Sequence, residues 1–542
     1  MTGNLDKGSP TPASYATDPE RYEDLSIGEI VRHRAQRIPR RPAFVSSARV
    51  TTWDEYDRLA DVFRAHICDA PGGPRARVAL LLPDTEAVHA ALCGCYRAGR
   101  IAVAIGIRSG VREIAHIIGR TEAATLVTVA MIGDRPWPEL VEALGAEGVF
   151  PDAVVVVDEQ TGEVVRHRLD EGAAGETHWE GESFTPSDIS ILNSTSGTTG
   201  LPKVVAHSER RWAAFAREAI VGARIGPDDV LCSVVPAPFG FGLWSAHFLP
   251  ALLGIPVVVT PRFDVEETVR LIERERVTVL CCVSTQFKML LRSPTLPDHD
   301  LSSLRVLYTG GEAVPYRDAR AFEEHTGAKV LQFYGSNESG AVSRTTIYDD
   351  AETRLGTCGH ALTSMNVRVL DDTGDDVAGA LRRGQPAVRG PLLSEGYWDD
   401  PAANAELYTP DGWMLLGDIV EIDDANRVRV VGRTSDFIIR GGKNISVVEI
   451  EELVRGVEPV SDVAVVGIPD EIYGERVCAV VVLAEGESLD RAGLSSRLES
   501  RGVGKEYLPE YVVVVDRLEL GPGGKTDRAA ARTTAVHMLQ RR

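Results

Sequence analysis

The sequence predicts an α/β protein: a large N-terminal body of stacked α/β sheets, a β-rich subdomain within it, and a small α+β C-terminal domain. Three observations lead there. The chain has 542 residues, too many for one hydrophobic core, so it divides into domains. Short apolar runs alternate with helical patterns, as in parallel sheets covered by helices. The texture then changes twice, near residues 355 and 432.

Strands are expected at 78–82, 101–105 and 125–129, with helices at 84–97 and 111–120 between them. A strand at 189–192 is followed, after a loop, by regular structure at 204–206 and a helix at 208–220. The alternation returns with strands at 257–260, 277–283 and 306–308 and helices at 265–275 and 286–291. Short strands at 367–370, 384–389, 414–416 and 428–431, separated by turn residues, make residues 355–432 the β-rich part. Beyond Gly432-Arg-Thr-Ser-Asp436, helices at 447–454 and 490–499 mix with strands at 460–466, 477–483 and 511–515. The expected division is a polar, disordered tail at 1–22, a body at 23–432 and a C-terminal domain at 433–542.

Composition narrows the function classes. Apolar residues make up 44% and charged residues 25%, ordinary for a soluble protein. A net charge of −21 argues against a nucleic-acid binder or a partner of anionic membranes, which need clustered Lys and Arg. The first residues lack the apolar core of a signal peptide, and no apolar run approaches transmembrane length, so a cytoplasmic protein is expected. Eight cysteines without a Cys-x-x-Cys or a close His pair read as free core thiols, not as disulfides or a zinc site.

The segment Leu192-Asn-Ser-Thr-Ser-Gly-Thr-Thr-Gly-Leu-Pro-Lys203 carries the most chemistry. Residues 194–200 hold five hydroxyl side chains and two glycines, so backbone N–H groups and hydroxyls can converge on a phosphate chain. The common P-loop spacing is absent, because Leu201 and Pro202 separate Gly200 from Lys203. Ser/Thr/Gly-rich stretches are more often linkers, but this one sits between a strand and further regular structure, where phosphate loops are found.

Four later segments suit a nucleotide site. Tyr308-Thr-Gly-Gly-Glu312 ends a strand with two glycines that let a flat ring approach the backbone. Phe333-Tyr-Gly-Ser-Asn-Glu-Ser-Gly340 offers an aromatic ring and a carboxylate fit for a hard cation. Asp411-Gly-Trp-Met-Leu-Leu-Gly-Asp418 ends in a turn aspartate, and Gly521-Pro-Gly-Gly-Lys525 presents a lone lysine on a glycine-rich tip. Alone, each reads as an ordinary turn or solvated loop.

Together and in this order they resemble the AMP-forming acyl-activating (ANL) superfamily of acyl- and aryl-CoA ligases, peptide-synthetase adenylation domains and firefly-type luciferases, over residues 25–532. The resemblance implies an acyl-adenylate made from ATP and a small-molecule carboxylic acid, then transfer to a thiol after a mobile C-terminal domain rotates. It assigns Thr195, Ser196, Gly197, Thr198, Thr199, Gly200 and Lys203 to the ATP phosphates, with Thr198 among the catalytic residues. Gly310, Gly311 and Glu312 would border the adenine, with Tyr334 stacked on its other face, and Gly335, Ser336 and Asn337 beside the nucleotide. Glu338 would ligate Mg²⁺, Asp418 would take the ribose hydroxyls, and Arg433 would contact the ribose or phosphate region. Lys525 would neutralise charge as the carboxylate attacks phosphorus, a task for a compact cation on a long stem. Gly441 and Gly442 would leave room for the pantetheine arm.

Two departures stand out. The hinge position commonly holds Asp or Lys but here is Ser435, and Asn337 stands where the family usually has threonine. Asparagine can still hydrogen-bond a phosphate.

The acid pocket of the family lies under Pro236-Ala-Pro-Phe-Gly-Phe-Gly-Leu-Trp244. Amino-acid-activating relatives carry an aspartate where this chain has Gly240, and a histidine common near Phe239 is missing too. A wall of Phe239, Gly240, Phe241 and Gly242 offers no charge to an ammonium, and Gly240 is expected to open space. The acid expected is uncharged and mostly apolar (alicyclic, aromatic or short branched), most like those of cyclohexanecarboxylate-type ligases. Ser284 is a candidate polar contact, with Gly335 and Gly340 also beside the acid. His207 reads as a structural neighbour of the phosphate loop, since a carboxylate nucleophile needs no base. The thiol, free CoA or the phosphopantetheine of an acyl carrier protein, stays open, as do monomer and homodimer. A silent homologue acting as a scaffold would be expected to lack Glu338, Asp418 or Lys525, and all three are present.

Overall fold

A computed structural model of the protein describes residues 25–159, 161–169, 184–194, 201–311, 314–433, 437–440, 443–470, 474–501, 503, 507–521 and 526–541. The tail expected at 1–22 lies outside them.

Two large sheets build the body. One runs Val204–Ser208, Ile189–Ser194, Ile101–Ala104, Arg77–Leu81, Thr125–Val129, Ala153–Val157, Val164–Arg168. Its five inner strands are parallel and its two edge strands antiparallel. The other has nine strands, in the order His360–Ala361, Gly340–Arg344, Lys329–Ser336, Val306–Gly310, Val279–Cys281, Leu231–Ser233, Val257–Val259, Pro42–Val45, Val50–Thr52. The six from Lys329–Ser336 to Pro42–Val45 are parallel.

Side-chain alternation along the strands explains the layering. Val78 and Leu80 join the same core as Val257 and Val259, with helices Trp53–Cys68, Glu86–Arg97 and Glu209–Ala223 between the sheets. Ala79 and Leu81 face the opposite way, onto helices Val111–Thr121 and Trp137–Ala146. Val258 faces away too, onto helices Val265–Arg274 and Ser284–Leu291. Covered on both faces, strands such as Ala153–Val157 are continuously apolar, as parallel sheets require.

The β-rich sheet follows, with strands Asn366–Leu370, Arg382–Arg389, Asp418–Ile422 and Val428–Arg433 antiparallel in order. Arg433 still pairs with Asp418 in this sheet. The C-terminal sheet is built on the long pair Val460–Asp470 and Gly474–Leu483, with helices Val447–Arg455 and Arg491–Glu499 packed on one face and Arg528–Gln540 on the other. It touches the body where Arg292 donates to the Ser461 carbonyl (2.8 Å) and Lys288 approaches Asp462 (3.5 Å).

Most expected elements are present with ends shifted by a residue or two, and several differences are physical. The helix expected from 84 begins at Glu86, because the Thr85 hydroxyl caps it, leaving Asp84 outside. The strand expected at 277–283 is only Val279–Cys281, and the following helix starts early, at Ser284. Ser208 ends a strand instead of starting the helix. All eight cysteines are unpaired, seven of them buried and Cys358 partly exposed. Among the described residues no helix is long and apolar enough to cross a membrane, and no His/Cys/Asp/Glu group has a metal-binding arrangement.

Candidate active site

In doubly wound sheets, ligands gather beyond the carboxyl ends of parallel strands, and here strand ends from the two sheets meet. Asn193, at the end of Ile189–Ser194, is fully buried. Its Nδ2 donates to the Pro238 carbonyl (3.1 Å) and faces Asn337 Oδ1 (3.3 Å). Its Oδ1 accepts from Asn337 Nδ2 (2.7 Å) and from His207 Nε2 (2.7 Å). All four hydrogen-bonding positions of this amide are therefore used.

Arg211 extends the chain. Its Nη1 donates to His207 Nδ1, and since arginine only donates, His207 carries its proton on Nε2. Burial, then the Arg211 cation, holds His207 well below the usual imidazole range, so it is neutral and structural. Arg211 Nε donates to the Leu392 carbonyl (2.5 Å) and Nη2 to that of Asn337 (2.6 Å), and its guanidinium lies 4.3 Å from the Trp212 ring centre. Burial pulls Arg211 down to about 9, still cationic at neutral pH.

Glu338 is held from outside its own segment. The Tyr397 hydroxyl donates to Glu338 Oε1 (2.8 Å), and the Ser394 N–H donates to the Glu338 carbonyl (2.7 Å). Tyr397 sits on a stretch that pairs with the strand Val204–Ser208, where Ala206 N–H donates to Gly396 O (2.9 Å) and Trp398 N–H to Val204 O (2.8 Å). Lys203 places its ammonium 4.6 Å from the centre of the Tyr397 ring, a cation–π contact. The loop bearing Glu338 is tight: Ser336 N–H donates to Ser339 Oγ (2.9 Å) and Ser339 N–H to Ser336 Oγ (3.0 Å). Gly335 and Gly340 are bare because backbone crosses there; a Cβ would lie 1.7 Å from Gly340 O at the first and 2.5 Å from Leu392 O at the second.

Asp418 opens the strand Asp418–Ile422, buried between two partners. The Tyr334 hydroxyl donates to Oδ2 (3.0 Å) and Arg433 Nε to Oδ1 (3.1 Å). Burial, then the Asp418 charge, pushes the Tyr334 phenol well above its usual value, so it stays a donor. Gly310 ends its strand against Phe333, whose carbonyl would stand 2.6 Å from an added Cβ, and Gly311 takes φ +78°.

The pocket wall departs from expectation. A Cβ on Gly240 would meet Trp212 Cη2 at 2.6 Å and Asn337 Oδ1 at 2.9 Å. The glycine admits those two side chains; it does not open space for substrate. A carboxyl group also lies behind this wall: Asp84, buried, accepts from the Ala237 N–H at Oδ1 (3.0 Å). Phe241 packs on Trp244 (ring centroids 5.0 Å). Ser284 is buried at the start of the helix Ser284–Leu291, its hydroxyl without a partner among the described residues.

The structure thus brings Asn337, Glu338, Lys203 and Gly240 together and sets Tyr334, Asp418 and Arg433 in a second cluster. Thr195, Ser196, Gly197, Thr198, Thr199, Gly200, Glu312, Ser435, Gly441, Gly442 and Lys525 lie outside the described residues. Asn193, Arg211, Tyr397 and Asp84 were not singled out from the sequence. A polar side chain inside the apolar run 189–192 and its continuation was the one available signal, for Asn193.

Comparison with known proteins fits this arrangement. Residues 31–398 match the family described as AMP-binding enzyme, and residues 449–525 match the AMP-binding enzyme C-terminal domain. The chain belongs to this family of adenylate-forming enzymes, and it is an AMP-forming carboxylate–thiol ligase in class. It is 28% identical to a 2-hydroxy-7-methoxy-5-methyl-1-naphthoate–CoA ligase of Streptomyces carzinostaticus, over 98% of this chain and 99% of that protein. It is 31% identical to a 3-[(3aS,4S,7aS)-7a-methyl-1,5-dioxo-octahydro-1H-inden-4-yl]propanoyl:CoA ligase of Rhodococcus jostii (strain RHA1), over 89% and 93%. Among solved structures, ATP-bound MatB from Rhodopseudomonas palustris superposes with TM-score 0.81 at 25% identity, covering 94% of this chain and 99% of that one. The amide bond synthetase McbA from Marinactinospora thermotolerans gives 0.78 at 28%, with the same coverage.

Proposed function

We propose that the protein uses ATP to convert a small, uncharged and mostly apolar carboxylic acid into its acyl-adenylate, releasing pyrophosphate, and then passes the acyl group to the thiol of CoA. The observation that carries this reading is the pair of oriented carboxylates. Glu338 and Asp418 each have fixed partners, which a silent scaffold would not need.

In this reading the loop 195–200 with Lys203 holds the ATP phosphates, and Asp418 accepts from the ribose hydroxyls while Tyr334 and Arg433 fix its orientation. Gly310 and Gly311 border the base. Glu338 suits Mg²⁺: Tyr397 takes Oε1, and Oε2 has no partner among the described residues, leaving a hard oxygen donor. The ion, when bound, would neutralise phosphate charge. Lys525, carried by the C-terminal domain, would stabilise charge developing at the α-phosphate. The apolar acid class is supported by the Phe239 and Phe241 wall and by relatives named for ring-bearing acids, the naphthoate and indane propanoate above.

Acid-dependent exchange of pyrophosphate into ATP over an acid panel tests the first half-reaction. The second is tested by thioester formation with CoA and with a carrier protein. Exchange is expected with ring-bearing acids; none with any acid overturns the ligase reading, and strong exchange with α-amino acids overturns the acid class. Likeness to an amide bond synthetase makes an amine worth including among the acceptors.

A further inference from the structure

Arg211 places a cation on the buried stripe of a core helix. It lies on Glu209–Ala223 one turn before Phe215 and is 1% exposed. Its printed partners are three carbonyls and an imidazole, with no carboxylate in hydrogen-bond contact among the described residues. Burying a cation without a counter-ion is unfavourable, and an apolar side chain would fill this position without that penalty.

What the guanidinium holds is main chain. Nε and Nη2, on one edge of the planar fork, take the carbonyls of Leu392 (2.5 Å) and Asn337 (2.6 Å). Nη2 also lies 3.4 Å from the Glu338 carbonyl, and a Cβ on Gly340 would stand 3.3 Å from it. The two groups that hold Glu338 from outside its loop, the Ser394 N–H and the Tyr397 hydroxyl, follow Leu392 on one segment. Arg211 therefore ties the loop bearing Glu338 to the segment that supplies its partners. Nη1 donates to His207 Nδ1, and His207 Nε2 reaches Asn193, which pairs with the Asn337 amide. One connected set thus grips Asn337 at its carbonyl and at its side chain.

We propose that Arg211 is a positioning residue for adenylation: its fork sets the 336–340 loop against the 392–397 segment and so aims the Glu338 carboxylate at the Mg²⁺ of the bound nucleotide. The inference rests on the ligase reading above and adds to it the residue through which the metal ligand is oriented. A lysine here would keep the charge, but its ammonium is a single point and does not hold two carbonyls as the fork does. Groups that orient a metal ligand are worth about 10- to 100-fold in metal affinity.

The test measures binding of α,β-methylene-ATP by calorimetry, with Mg²⁺ and in EDTA, for the natural protein, Arg211→Lys and Arg34→Lys. Arg34 is the control, a buried arginine on the carbonyls of Ala251 (3.1 Å) and Leu252 (2.6 Å) with no printed contact to the Glu338 loop. Arg211→Lys is expected to cut the affinity gained from Mg²⁺ about tenfold and to leave binding in EDTA unchanged. Arg34→Lys is expected to lower the unfolding midpoint and leave the Mg²⁺ gain intact. In a Glu338→Gln background Arg211→Lys should take nothing further from that gain, because it acts through the carboxylate. Where Arg211→Lys fails to fold, His207→Gln serves: it keeps a donor for Asn193, removes the acceptor of Arg211 Nη1, and should give a smaller loss of the same kind. An unchanged Mg²⁺ gain in the folded variant overturns the proposal, as does an equal loss in Arg34→Lys or an additive loss in Glu338→Gln. Pyrophosphate exchange with no acid at all brings down the ligase reading, whereas normal exchange with an unchanged Mg²⁺ gain brings down only the role of Arg211.

Discussion

The phenol of Tyr397 donates a 2.8 Å hydrogen bond to Oε1 of Glu338, a residue 59 positions earlier in the chain. The ring that carries this phenol also faces the ammonium of Lys203. One aromatic side chain therefore positions both the carboxylate and the lysine proposed for the magnesium and phosphates of ATP.

Tyr397→Phe keeps the ring and deletes the donor. It is expected to lower kcat of pyrophosphate exchange about tenfold, the worth of one hydrogen bond to a charged group, and to raise the Mg²⁺ concentration needed for half-maximal rate. Unchanged Mg²⁺ dependence would separate Tyr397 from Glu338's role.

Lys525→Ala removes the proposed catalytic cation. Contacts of this kind at developing charge are worth about 3–4 kcal/mol, so exchange should drop by roughly 100- to 1000-fold with the fold intact. Thioester formation from a supplied acyl-adenylate should fall much less, and equal losses in both steps would contradict the assignment.

Gly240→Ala is expected to destabilise the fold by about 1–3 kcal/mol, because its methyl runs into Trp212 and Asn337. Trp212→Phe in the same chain removes the clashing Cη2 and is expected to recover part of that loss. Thermal unfolding of the single and double variants checks this, and additive losses would refute the contact.

Two buried groups give the stability opposite pH slopes. Burial holds His247 down at about 3 against 6.5 in an open chain. Between those values the unfolded chain binds a proton that the fold refuses, so stability falls as pH drops from 6.5 towards 3. Asp84 runs the other way: its carboxyl rises from 3.8 to about 7, so the fold keeps a proton the unfolded chain has released, and its contribution weakens as pH climbs through that window. Asp84→Asn should therefore raise the unfolding midpoint at pH 8 and have little effect below pH 4. A shift of equal size at both pH values would rule out titration as its origin.

Much of the fold was legible because periodicity is local. Runs such as Thr125–Val129 declare a doubly covered strand on their own, whereas the hydroxyl-rich loop, the paired glycines and Glu338 stand out only through their joint resemblance to a family. The missing residues act across distance. Asp84 reads as the first residue of a helix that in fact begins after the Thr85 cap, and its partner is Ala237, 153 positions away. Arg211 reads as one more charge on an amphipathic helix, yet it is buried on the carbonyls of Asn337 and Leu392. Gly240 was misread because a missing Cβ says nothing about what fills its place.

The run of bonds from Arg211 through His207 and Asn193 to Asn337 has an evolutionary consequence. Asn193 has no unused hydrogen-bonding position, so no neighbour can change its polarity without orphaning an amide in the core. A threonine at 337 would strip Asn193 of its paired amide, and an apolar residue at 207 would leave both Asn193 Oδ1 and Arg211 short of a partner. Substitution at these sites is expected to be inherited in blocks. The asparagine that departs from the family's usual threonine is then half of a matched pair whose other half lies 144 residues upstream.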